Sequence, residues 1–110
     1  MPVTAVVSIQ HRVSGIILFL SIPYVIWLFA ASVKSVYGYT EALTILNSGY
    51  GKLASIVLLW AITHHFYAGL RFLILDLDIG ISRDAAIKVA WLVQLLVVIT
   101  FVLLAIKVVL

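Results

Sequence analysis

The sequence contains no cysteine and very few charged residues, and these two features limit the class of protein and the kinds of metal site that it can form. Without cysteine there is no disulfide, thiolate metal ligand or thiol nucleophile, so any metal must bind histidine or carboxylate. Charged residues are 10% and hydrophobic residues 65% of the 110 residues, against roughly 25% and 45–50% in a soluble domain. The composition is therefore typical of a membrane protein, and the small net charge of +3 does not indicate nucleic-acid binding.

Three apolar segments bounded by charged residues predict three transmembrane helices, over about residues 13–33, 53–75 and 89–106. The first segment covers roughly 31 Å, about the ~30 Å of a hydrocarbon core, and is too long for the hydrophobic part of a signal peptide. The sequence predicts an all-α membrane protein, with residues 1–110 as a single transmembrane anchor domain. With three spans, the two termini lie on opposite membrane faces.

Two polar connections separate these spans. Residues 34–52 contain several glycines and tyrosines, which predicts an interfacial loop with at most a short helix over residues 40–46. Residues 76–88 form the second connection, where Ser82 is placed to cap the last helix. Basic residues slightly favour the N-terminal face, so the positive-inside rule predicts an N-terminus on the cytoplasmic or matrix side.

A histidine pair, His64 and His65, lies inside the second span, where an unpaired polar group costs on the order of several kcal/mol. His65 shares a helical face with small residues, and such a face admits a flat ligand and offers an imidazole nitrogen to a porphyrin iron. His64 points about 100° away. Hydrogen bonding across the helix bundle is an equally open alternative for either histidine. The residues nearest the His65 direction are Ala61, Ala68, Gly69, Phe72 and Asp76.

Ser8, Arg12 and Gly15 are spaced four and three residues apart, so they share one face of a helix that begins near residue 6. The hydroxyl and the permanently charged guanidinium suit the carbonyl oxygens of a quinone or the propionates of haem. The alternative is that Arg12 extends to lipid headgroups. The three-span topology also predicts that four polar residues lie at the same depth in the membrane: His11, Arg12, Arg71 and Asp76. His65 is predicted to lie about 9 Å further into the membrane.

Two motifs, PVTAVVSIQHRVSGI and, one span later, THHFYAGLRFLILD, resemble the cytochrome b membrane-anchor subunit of succinate:quinone oxidoreductase, respiratory complex II. The first resembles the signature S-x-x-H-R-x-S/T-G and the second the signature H-x-x-x-G-x-R-H-x-x-x-D. Both have the family's order and separation, and the resemblance covers nearly the whole chain. It implies a heterodimeric membrane bundle formed with a second small anchor subunit, together with an iron–sulfur subunit and a flavoprotein subunit.

The resemblance also implies roles for individual residues. His65 matches the axial ligand of haem b, and the other axial histidine would come from the second anchor subunit. Ser8 and Arg12 match quinone-site residues near the docking face of the iron–sulfur subunit. His11, Arg71 and Asp76 match positions of that face near the haem propionates, in supporting roles.

The sequence departs from the family pattern in two places. Phe72 stands where many relatives have a second histidine, which removes one polar contact near the haem edge. The segment before the first signature is short, so contacts to the soluble subunits are expected to be shortened or supplied by partners.

The implied mechanism is electron transfer from succinate, through flavin and iron–sulfur clusters, to a quinone, with this chain as anchor and site wall. A small proton-coupled multidrug exporter has a similar length and hydropathy, but it needs a carboxylate inside a span, and none of the four acidic residues lies there. An assembly anchor without haem is the remaining alternative. Gln94 and Thr100 are the polar residues of the third span and are expected to join helices.

Overall fold

The computed structural model describes residues 2–79 and 81–110, which form four helices. These are α1 (Val3–Lys34), α2 (Val36–Asn47), α3 (Gly49–Asp76) and α4 (Arg83–Val109). Three of them, α1, α3 and α4, are long and apolar enough to cross a membrane, with peak mean hydropathies of 2.3, 1.4 and 2.8. The predicted all-α architecture with three membrane-spanning helices is therefore confirmed, and the chain is a multi-pass membrane protein.

The helices extend beyond the apolar segments seen in the sequence. At 1.5 Å per residue, α1 is about 48 Å long because it starts at Val3, well before the span predicted from residue 13. Pro23 lies inside this helix. The extra turns place Ser8, His11 and Arg12 on a continuous helix, as the spacing of the first motif requires.

The connection between the first two spans is more helical than the sequence indicated. A loop with a short helix over residues 40–46 was expected, but α2 runs over twelve residues, Val36–Asn47. Its glycine and tyrosines suggested a loop, yet the Ser35 hydroxyl caps it by accepting from the backbone N–H of Gly38 at 2.9 Å. Burial of Gly38 and Ala42 then holds the helix against its neighbours.

Serine also caps the next two helices. The Ser48 hydroxyl accepts from the backbone N–H of Gly51 at 3.0 Å, and the Ser82 hydroxyl accepts from that of Ala85 at 3.2 Å. The predicted cap at Ser82 is thus confirmed. At the end of α3, Asp78 has a φ of 61°, and the N–H of Ile79 reaches back to the carbonyl of Ile74, which terminates the helix.

The bundle has a small core because most of its apolar surface faces outwards. α3 packs against both α1 and α4, and α2 rests on α1 and α3. Many large side chains remain open, such as Phe19 at 71% and Phe29 at 67% exposure. Lipid or partner subunits must cover this surface. The core itself consists of small and β-branched residues: Val7, Ala68, Ala90, Val93 and Val97.

Candidate functional site

The second motif presents two different faces of α3. Towards the inside of the bundle lie four residues that are at most 5% exposed, here called the core face: Ala61, His64, Ala68 and Arg71. Towards α1 and the outside lie three half-buried residues, here called the site face: His65, Gly69 and Phe72. The two adjacent histidines therefore have different environments.

The His65 ring is held against α1 by its Nδ1 atom. This atom lies 3.2 Å from the Ser14 hydroxyl and 3.4 Å from the backbone carbonyl of His11. The Ser14 hydroxyl donates to that same carbonyl at 2.8 Å, so its oxygen is available to accept the Nδ1 proton of His65. With Nδ1 protonated, the Nε2 atom of His65 carries the lone pair, and no hydrogen bond to Nε2 occurs within residues 2–79 and 81–110.

Gly15 gives the His65 ring its space. A Cβ atom at Gly15 would lie 3.2 Å from Cε1 of His65, tighter than ordinary van der Waals contact. Gly69 serves His11 less strictly, because a Cβ atom there would lie 3.8 Å from Nε2 of His11. A Cβ atom at position 15 would therefore require the His65 ring to shift by a few tenths of an ångström.

His11 lies deeper than the sequence predicted. Its ring stacks on that of His65, with centroids 4.2 Å apart and planes 9° apart, and its other neighbour is Phe72 at 5.1 Å. The expected separation of about 9 Å in depth is therefore wrong for His11. The reason is the packing of α1 against α3, which places the His11 ring between those of His65 and Phe72.

Ser8 and Arg12 lie on the same helix as Ser14 and Gly15. Arg12 is exposed and Ser8 is half-buried. Residues four and seven positions after Ser8 share its face of α1, so this polar face leads directly to Gly15 and the His65 ring. Along the axis, Arg12 and Gly15 differ by about 4.5 Å.

Arg71 and Asp76 lie apart from His65. Arg71 is 5% exposed on the core face, and its buried Nε atom has no hydrogen-bond partner among the described residues. At about 100° per residue, its direction from the α3 axis differs from that of His65 by about 120°. Asp76 is exposed at the end of α3. Neither residue contacts His65 within this chain.

His64 takes part in hydrogen bonding across the bundle. Its Nε2 atom lies 3.0 Å from Oε1 of Gln10, which also accepts from Nε2 of Gln94 at 2.8 Å. Thr100, the other polar residue of α4 noted in the sequence, lies 2.9 Å from the hydroxyl of Tyr67. Gln94 and Thr100 thus join helices, as expected.

An apolar groove lies between α1 and α3, about one helical turn from His65 and Gly15. Its volume is about 500 Å³. Leu58 and Ile62 precede His65 by seven and three positions, so they extend the same face of α3. The groove residues are Leu18, Phe19, Ser21, Ile22, Val25, Ile26, Leu58 and Ile62.

Sequence reasoning gave no role to Ser14 or Gln10, although both contact a histidine of the pair. Ser14 occupies the S/T position of the first signature, and that position was the signal available for it. Gln10 is a lone amide before the predicted first span, and only the packing of α1 against α3 reveals its partner.

The fold and this site define a small membrane-embedded helical subunit with a histidine presented between two spans. Comparison with known proteins agrees: residues 1–105 match the family model described as the succinate dehydrogenase/fumarate reductase transmembrane subunit. The chain belongs to this family.

Individual relatives are similar along much of the chain. The succinate dehydrogenase cytochrome b556 subunit of Coxiella burnetii is 40% identical over 79 residues, which are 69% of this chain and 62% of that protein. The subunit of the same name from Paracoccus denitrificans is 31% identical over 88 residues, 80% of this chain and 68% of its own. The match thus spans a little under two thirds of the Coxiella burnetii protein.

Proposed function

We propose that this chain is the cytochrome b membrane-anchor subunit of a succinate:quinone oxidoreductase and that it binds haem b through Nε2 of His65. One observation carries the proposal: Nδ1 of His65 is engaged by α1, whereas Nε2 has no partner in the described chain. Metal-binding histidines use one ring nitrogen for the metal and the other for an orienting hydrogen bond. Membership of the family and the words "cytochrome b556" in both relatives' names support it.

The surroundings of His65 fit a flat apolar group. The ring is half-buried beside Gly15, and the apolar groove of about 500 Å³ lies along the same helix faces. When bound there, haem supplies one-electron redox chemistry, and burial and axial ligation set its potential. The chain's own part is to orient the imidazole and to keep water away from it.

We propose that the second histidine that would hold haem b comes from a second small membrane subunit. His11 cannot serve opposite His65, because the two rings stack with centroids 4.2 Å apart and leave no space for a macrocycle between them. His64 is turned into the core at 1% exposure. Many large apolar side chains on the outer surface are open for such a partner.

Ser8 and Arg12 are proposed to bind the quinone headgroup. Arg12 is exposed and can donate a charge-assisted hydrogen bond to one quinone carbonyl oxygen, while the Ser8 hydroxyl donates a weaker one near it. Both stabilise the negative charge that develops on the quinone oxygens as electrons arrive. Full reduction takes two electrons from an iron–sulfur subunit and two protons from the aqueous face.

Supporting roles follow for the remaining site residues. We propose that His11 packs against the haem edge through its stack with His65, and that Arg71 and Asp76 act near the propionates and the soluble subunits. The N-terminal face is then the cytoplasmic or matrix side, where the iron–sulfur and flavoprotein subunits dock. Succinate oxidation to fumarate takes place on the flavoprotein, and the electrons reach the quinone here.

The test is the reduced-minus-oxidised absorption spectrum of the purified complex. The unsubstituted complex is expected to show the sharp bands of bis-histidine haem b. His65→Ala should lose them, while His64→Gln, one residue away, should keep them because glutamine retains a donor for Gln10. Unchanged bands in His65→Ala would contradict the ligand assignment, and an unsubstituted complex without bands would identify an anchor that carries no haem.

A further inference from the structure

Gln10, His64 and Gln94 form a polar cluster in the core of the bundle, here called the amide–imidazole cluster. Its three residues come from α1, α3 and α4, and two hydrogen bonds of 3.0 and 2.8 Å converge on Oε1 of Gln10. His64 is 1% exposed. The cluster lies directly beside the proposed haem ligand in the sequence, but the proposed electron transfer does not use it.

The bonding pattern fixes which atom of His64 is occupied. A carbonyl oxygen only accepts, so Nε2 of His64 must donate its proton to Gln10. The other ring nitrogen, Nδ1, is buried without a hydrogen-bond partner among the described residues. Gln10 therefore anchors the His64 ring in the core, away from the surface on which His65 lies.

Competition between His64 and His65 arises from geometry. Neighbouring residues of a helix differ in direction by about 100°, so a rotation of α3 by one residue step would present His64 where His65 now lies. Hydrophobicity alone does not fix the rotation of a membrane helix, because its outer surface and the lipid are equally apolar, so close packing and hydrogen bonds between helices must do so. A hydrogen bond that forms in only one rotation of α3 can therefore favour that rotation over the other.

Packing of the core face supports the same division. Ala61 and Ala68 lie three positions before and four after His64, and both are 0% exposed. Their small side chains leave room for the imidazole, which also contacts the Trp60 ring at 5.4 Å between centroids. The two histidines thus occupy separate places, one beside two amides in the core and the other beside Gly15.

We propose that Gln10 and Gln94 are positioning residues that hold His64 in the core, so that His65 is the only histidine of the pair presented to haem. This inference rests on the proposed function. In this proposal, the amide–imidazole cluster determines which of the two adjacent histidines, His64 or His65, is available to bind haem.

The test is electron paramagnetic resonance of the oxidised, purified complex, in which each pair of axial ligands gives its own low-spin ferric signal. Gln10→Leu/Gln94→Leu removes both amides and should produce a second low-spin species that is absent from the unsubstituted complex. Adding His64→Leu to the double variant should remove that species and restore one signal. His64→Gln alone should keep one signal, since its side-chain amide still donates to Gln10.

Thr100→Val is the matched control. It breaks an α3–α4 hydrogen bond of 2.9 Å that does not involve His64, so it should leave a single species. If the double variant accumulates poorly, the single variants carry the test. Gln10→Leu should then give more of the second species than Gln94→Leu, because Gln10 contacts His64 directly.

The proposal is overturned if the double variant retains one unchanged signal, or if a second species persists after His64→Leu is added. His65→Ala in the same series distinguishes failure of the proposed haem ligand from failure of the inference about Gln10 and Gln94. If His65→Ala leaves the signal unchanged, or the unsubstituted complex has no haem signal, the proposed function fails and this inference fails with it.

Discussion

The two faces of α3 differ in how far they enclose a histidine. On the core face, His64 is 1% exposed, its Nε2 atom is bonded to Gln10, and its buried Nδ1 atom has no partner among the described residues. On the site face, His65 is half-buried and has one nitrogen bonded to α1 and the other without a partner. Two adjacent histidines thus lie in different environments because their directions from the helix axis differ by about 100°. A histidine inside a membrane span is informative only once its partners are known.

The largest effect is expected from the polar face of α1 that leads to His65. Arg12→Leu should lower succinate-driven quinone reduction on the order of 100-fold, the cost of removing one well-placed donor to a developing oxyanion. Haem content and electron delivery to a soluble dye should stay close to normal. Lys88→Leu is the control, because Lys88 is an exposed basic residue of α4 on the same side of the membrane.

Equal losses in Arg12→Leu and Lys88→Leu would mean that charge on this side, and not a specific donor, supports turnover. Loss of dye reduction in Arg12→Leu would indicate failed assembly of the soluble subunits. Either result would contradict the quinone role of Arg12.

Gly15→Val tests whether the His65 ring needs the space beside α1. A Cβ atom at position 15 would lie 3.2 Å from Cε1 of His65, and the branched side chain would displace the ring further. We expect haem content, measured from the reduced spectrum per complex, to fall about tenfold, which is the usual loss when the orientation of a metal ligand is disturbed. Gly69→Ala is the control, since its Cβ would make an ordinary contact of 3.8 Å with His11. Equal haem content in both variants would show that Gly15 does not set the position of His65.

Ser14→Ala tests the orienting hydrogen bond of His65. The variant loses the hydroxyl that lies 3.2 Å from Nδ1, but the His11 carbonyl at 3.4 Å remains. We therefore expect weaker haem retention at the low end of the usual range for such partners, about tenfold or less. Ser14→Thr keeps the hydroxyl and should restore retention. Identical haem loss on dilution in all three proteins would exclude a role for Ser14.

The smallest effect is expected from a hydrogen bond between α3 and α4 that lies outside the site face. Thr100→Val breaks the bond to the Tyr67 hydroxyl and should lower stability by roughly 0.6 kcal/mol, the average for hydrogen bonds between membrane helices. Thermal unfolding of the complex should shift slightly, and the haem spectrum should stay the same. A change in the haem spectrum would show that this contact between α3 and α4 affects the haem site.

The sequence predicted the membrane class, the three spans and the Ser82 cap because hydropathy and capping are local properties of the chain. It underestimated α2, whose glycine and tyrosines indicated a loop, because the Ser35 cap and burial against neighbouring helices outweighed local preference. The motif spacing also indicated His65 as the candidate haem ligand, but it did not predict which residues surround its ring.

Contacts between helices were beyond the sequence. Hydropathy does not say which face of α1 meets α3, so neither the His11–His65 stack nor the Gln10–His64 bond was predicted. Arg71 illustrates the same limit, because its motif position did not predict that its side chain is buried on the core face at 5% exposure. A role for Ser14 could have been predicted, because Ser14 occupies the S/T position of the first signature.

The most direct measurement is a cryo-electron microscopy structure of the assembled complex. We expect iron within bonding distance of Nε2 of His65, with Nδ1 of that ring still against Ser14 and His64 still bonded to Gln10. Iron bound by His64, or a porphyrin absent from the surface between α1 and α3, would contradict this expectation.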